Sequence, residues 1–136
     1  MSIKGIFCIL CVCFFSIHMF GQEKGAQKDQ NPTIKIFQKE EIDYIKKWME
    51  NFILDKEMTP EINERFKIVT SYYGLKMKLL GENTKLTKIE IIGKFNILIK
   101  EQNNDLKEML PAEQFESFSK LYDKISWSVN KRLHQL

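Results

Sequence analysis

The chain carries few of the side chains on which small enzymes and metal proteins usually depend. Of its 136 residues, three are cysteines and two are histidines. Cys8, Cys11, Cys13 and His18 all fall within the first twenty-one residues. Loss of that segment leaves no thiol to pair, to hold zinc or to attack a substrate. The remaining histidine, His134, stands close to the carboxyl end, where fraying opposes a firmly held catalytic base. Arginine is equally scarce. Arg65 and Arg132 are the only two, and lysine is a poor substitute in the bidentate and stacking contacts that nucleic-acid readers use. Gly25, Gly74, Gly81 and Gly93 form no phosphate-binding loop. No nucleic-acid partner, cofactor or metal is expected, and the chain does not read as an enzyme.

Long hydrophobic runs are also missing after the start. Lys4 supplies a positive charge, Ile6 to Phe15 is apolar apart from the cysteines, and Ser16 to Gly21 is more polar, which is the pattern of an export signal. Ser16 and His18 interrupt the run well short of the ~20 apolar residues that a membrane span requires. Residues 1–21 are therefore expected to be a cleaved signal peptide that delivers the protein to the periplasm or the exterior, with no stable membrane span in the mature chain. Removing Lys4 lowers the formal charge from +3 to +2, too little excess to imply a polyanionic partner.

What remains is one domain's worth of chain. Residues 22–37 read as a flexible spacer, polar up to Asn31-Pro32, with order expected from near Thr33, where the alternation of Ile34, Lys35 and Ile36 allows a short extended stretch packed on the body. Residues 38–136 read as a single helical domain. Ile42, Ile45, Trp48, Met49, Phe52 and Ile53 recur at helical steps from Gln38 to about Lys56. Thr59 and Pro60 suit a helix start. Ile62, Phe66, Val69, Tyr73, Met77 and Leu80 continue that helix to Gly81, expected as a left-handed cap. Thr87 and Glu90 have capping-box spacing for a third helix running to about Met109, whose stripe runs through Ile92, Phe95, Ile99, Leu106 and Met109 with Gln102 inside the apolar arc. The fourth, from about Pro111, carries Phe115, Phe118, Tyr122, Ile125, Val129 and Leu133. The fold class is all-α, with four amphipathic helices.

Two of these helix starts are alike. Met58-Thr59-Pro60-Glu61-Ile62 and Leu110-Pro111-Ala112-Glu113-Gln114 each place a large apolar residue, a cap or proline and an acid before an amphipathic helix. The pair resembles the LTxxQ motifs of the Spy/CpxP-like periplasmic proteins, with Thr59 retained in the first and Leu110 and Gln114 in the second. Met58, Ile62 and Pro111 depart from the pattern. The resemblance implies an elongated hairpin or cradle of helices, usually a homodimer, that holds unfolded or partly folded envelope proteins without ATP. Some relatives bind metals or restrain a stress sensor.

A second apolar row, Ile68, Tyr72, Leu75 and Leu79, lies well round the second helix from its core stripe. Arg65 and Lys76 project between the rows. An apolar strip edged by positive charge suits the binding of exposed hydrophobic segments, and it equally suits a central bundle helix or a dimer seam that buries two faces. Trp127, with Lys124 and Lys131 on its side of the fourth helix, is a further contact candidate, or a residue packed on the first helix or a second protomer. Two functions follow: an exported ATP-independent holdase, or a regulatory or structural module with one envelope partner. A metal-responsive envelope protein would have to rely on carboxylates, His134 or methionines that are mostly core-spaced.

Overall fold

The structure is a computed structural model that describes residues 31–54 and 58–136. The expected signal peptide over 1–21 and residues 22–30 of the expected spacer lie outside the described residues. Four helices follow one another: α1 (Lys39–Ile53), α2 (Pro60–Gly81), α3 (Lys88–Met109) and α4 (Ala112–Gln135). The fold is all-α.

Each start has a local cause. At α1 the Gln38 N–H donates to the Glu41 carboxylate over 2.9 Å, and Glu40 and Glu41 place negative charge in the first turn. Thr59 caps α2 by accepting the Ile62 N–H at 3.2 Å, with Pro60 at the first helical position. At α3 the capping box closes in both directions: Glu90 N–H donates to the Thr87 hydroxyl and Thr87 N–H to the Glu90 carboxylate. The Thr87 N–H and then the Thr87 hydroxyl, which also donates to this carboxylate at 2.9 Å, hold the Glu90 carboxyl below its ordinary pKa.

The helices alternate in direction around one core. α3 packs against α2 and α4, with Tyr73 of α2 bonded to Asp105 of α3 and Asn96 of α3 paired with Asn130 of α4. A chain of rings ties in α1. Trp48 stacks on Phe52 at 4.7 Å, Phe52 meets Phe66 at 4.9 Å, Phe66 meets Phe118 edge-on at 5.7 Å, and Phe118 stacks on Tyr122 at 4.6 Å. Phe66, Phe95, Phe118, Leu106, Val129 and Leu133 are fully buried. The stripes of α2, α3 and α4 expected from spacing are those that face this core. Ile91 and Leu121 join them, widening the apolar arcs of α3 and α4.

Three expectations need correction. The spacer ends earlier than residue 37, because residues 31–37 form a strap on the body, the extended stretch that the alternation at Ile34 to Ile36 allowed. The Ile34 N–H donates to the Gly81 carbonyl at 2.7 Å and the Asn31 N–H to Thr84 at 3.1 Å, and Ile36 is buried. Secondly, Gly81 is not a left-handed cap. The helix runs through it and ends at Glu82 in right-handed conformation (φ −80°, ψ −6°). Glycine is required there because a Cβ would run into the Ile34 carbonyl oxygen of the strap. Thirdly, α1 ends at Ile53, and Ile42 leaves the core stripe for an exposed position.

One polar cluster fastens strap, α1 and α4 together. Arg132 of α4 contacts the Glu41 carboxylate at 2.8 Å, and both side chains are largely buried, at 20% and 13% exposure. The same guanidinium donates to the Lys35 carbonyl at 3.1 Å and the Ile36 carbonyl at 2.6 Å. The Ser128 hydroxyl donates to the other Glu41 oxygen at 3.0 Å.

Arg132→Ala should lower the unfolding free energy by about 2–3 kcal/mol, because a nearly buried carboxylate and two carbonyls lose their donor. Lys39→Ala, which removes an exposed pair with Asp43, should change it by less than about 0.5 kcal/mol. Urea titration of both variants checks this. The two α2 glycines should respond oppositely to alanine. Gly81→Ala should cost about 1–3 kcal/mol through displacement of the strap. Gly74→Ala, whose Cβ would meet nothing within 4 Å, should gain about 1 kcal/mol of helix propensity.

Candidate functional site

Two faces of α2 are available for binding, on opposite sides of its core stripe. The outer face carries Ile68, Tyr72, Leu75 and Leu79, exposed by 51 to 62%. Within this structure the row is not the second buried face of a bundle helix. The Lys76 ammonium lies 4.6 Å from the centre of the Tyr72 ring, so a cation–π contact holds that edge of the row. Arg65 is exposed at the same helix's start.

Beneath the row, the Tyr73 ring is buried while its hydroxyl donates to the Asp105 carboxylate at 2.6 Å. Burial first, and then this carboxylate, push the phenol well above its ordinary pKa. Tyr122 in the core is pushed up to about 12, also chiefly by burial. The Gln102 amide faces the Tyr122 hydroxyl and pulls the other way, without closing a well-formed hydrogen bond. The glutamine noted inside the apolar arc of α3 is thus fully buried.

Trp127 projects outward from α4 at 66% exposure, with the Lys131 ammonium 4.9 Å from its ring centre. It does not pack on α1. Lys124 is exposed on the same side. Because α2 and α4 meet across the core through Phe66 and Phe118, their outward faces point away from each other. The α2 row and Trp127 are separate surfaces.

The residues of the repeated helix start have structural positions. Met58 and Leu110 are buried, Thr59 and Pro60 open α2, and Pro111 precedes α4. Gln114 is buried and has a partner.

The other face of α2 borders a cleft that sequence reading did not anticipate. It lies between α1 and α2, has a volume of about 600 Å³, and is floored by the strap and Tyr122. Its α2 wall is made of Thr70, Ser71 and Gly74, and its α1 wall of Ile42, Ile45 and Met49. The run of small residues at positions 70, 71 and 74 was the available signal. They lie on one side of the helix, where they leave room against the neighbouring helix. Among the described residues no three His, Cys, Asp or Glu side chains gather to hold a metal ion. No described helix is long and apolar enough to cross a membrane. Neither a family model, a curated protein nor a solved structure matches the chain.

The raised tyrosines set an alkaline limit on stability. For each, folding favours the neutral phenol, so its contribution is complete below the unfolded value near pH 10 and is lost as pH rises through the folded value. The urea midpoint should therefore fall above about pH 10, and Tyr73→Phe should flatten that fall. An equally steep fall in the variant would exclude Tyr73 as a source.

Proposed function

We propose that the protein is an exported, ATP-independent holding chaperone of the cell envelope, a homodimer related to the Spy/CpxP-like proteins, that binds exposed hydrophobic segments of unfolded clients. The observation that carries this reading is the outer row of α2, four large apolar side chains more than half exposed on a rigid helix. Contiguous apolar surface of this kind marks an interaction site. Lys76 and Arg65 add positive charge along it, which favours acidic clients.

The magnitude suits holding. Covering the exposed halves of four such side chains yields on the order of 4 kcal/mol before the cost of association, so one row gives weak and short-lived contacts. Client chains that touch two rows of a dimer gain through effective concentration. Trp127 with Lys124 and Lys131 supplies a second, separate contact surface.

The alternative is a module that recognises one envelope partner, and the rigidity of the helical row favours it to the extent that a fixed surface selects a fixed complement. Breadth of binding separates the two. Purified Gln22–Leu136 should suppress light scattering by two unrelated aggregating clients at near-stoichiometric ratios without nucleotide. Replacing Ile68, Tyr72, Leu75 and Leu79 together by serine should abolish suppression while the helical circular dichroism and urea midpoint persist. Full protection by that folded variant would remove the row from the function. Failure of the unmodified protein on both clients would favour the single-partner module.

A further inference from the structure

We infer that the cleft between α1 and α2 binds a long-chain carboxylate, a free fatty acid in monomeric form, with its acyl chain along the apolar floor and its head at the lysine-bearing rim. The inference does not rest on the holding activity, which uses the neighbouring face of α2.

Three observations favour this occupant. The first is volume: about 600 Å³ falls within the range of small-ligand sites. The second is the chemistry of the walls. Ile34, Ile36, Phe37, Ile42, Ile45 and Met49 present hydrocarbon. Four of the polar groups among them are spent inside the protein. The Thr70 hydroxyl donates to the Phe66 carbonyl at 2.8 Å, the Ile34 N–H to Gly81, and the Lys35 and Ile36 carbonyls accept from Arg132. An extended peptide laid here would leave its own N–H and C=O groups without partners, at a cost an acyl chain does not carry. The third is charge. Lys35, Lys39, Lys46 and Lys78 border the cleft against one carboxylate, Glu82. Lys39 and Lys78 also approach Asp43 and Glu82, but the rim as a whole remains positive and complements an anionic head.

Gly74 provides the test position. It lines the cleft, and a Cβ there meets nothing within 4 Å, so Gly74→Leu puts a side chain into the space without a backbone collision. Isothermal titration calorimetry of the purified protein with laurate, below its micelle concentration, should give saturable binding of one molecule per chain. Gly74→Leu should raise Kd at least about tenfold with an unchanged or higher melting temperature. The double variant Lys46→Glu, Lys78→Glu should weaken laurate several-fold and leave 1-dodecanol little changed. Tyr72→Ser, on the outer face, should leave laurate affinity unaltered. Absence of saturable binding overturns the inference. So does laurate binding that survives Gly74→Leu, that is lost in Tyr72→Ser, or that appears only with lipid vesicles.

Discussion

The contact between Glu41 and Arg132 is the constraint on which the arrangement of the helices rests. It joins the first turn of α1 to the last turn of α4, where the carboxylate and the guanidinium each sit at the helix end whose dipole favours their charge. Its energetic importance lies less in the attraction than in what stays paired. A strap that belongs to no sheet has backbone carbonyls to satisfy, and Arg132 satisfies two of them from the donors left after Glu41. Lysine would offer one point charge where the geometry asks for a fork of donors. Of the two arginines in the chain, this one is structural.

Because the strap is fixed, its path imposes a second condition at Gly81. The Ile34 carbonyl presses on the last turn of α2, and only the residue without a Cβ admits it. The sequence signature of this close approach is identical to that of a helix-stopping glycine, since in both cases a glycine follows the last apolar residue of a stripe. Spacing cannot separate the two readings, because the difference lies in a segment more than forty residues earlier in the chain.

The same distinction between local and distant causes explains what else was legible. The helix starts at Thr59 and Thr87 depend on side chains within three residues, and they could be read directly. So could the core stripes of α2, α3 and α4, since an apolar face at helical period has one economical use in a small bundle. The outer row of α2 was also visible, but whether it is covered depends on what packs beside it, and that is a tertiary fact. Trp127 was ambiguous for the same reason. The cleft was the least legible feature. It arises where α1 stands off from α2, with Ile42 facing the gap instead of the core, and the small residues Thr70, Ser71 and Gly74 mark only one of its walls.

The two proposed binding faces therefore differ in kind. The outer row belongs to α2 alone, and α2 is held by its packing on α3 and by Tyr73 on Asp105. Nothing that happens at α1 has to disturb it. The cleft is shared between α1 and α2, which touch through Phe52 and Phe66 at one end and are joined by the strap at the other. Filling it adds contacts between helices that stand apart along the cleft. An occupant stabilises the folded chain by mass action, and its gain falls on α1, the helix with the least independent support. Coupling between the faces requires an element with two arrangements that both sites bias. α2 is a continuous helix from Pro60 to Gly81, and its place against α3 is set by contacts that neither face contributes. Occupation of the cleft is thus expected to leave the affinity of the outer row unchanged, so the two proposed sites would share a helix without sharing an equilibrium.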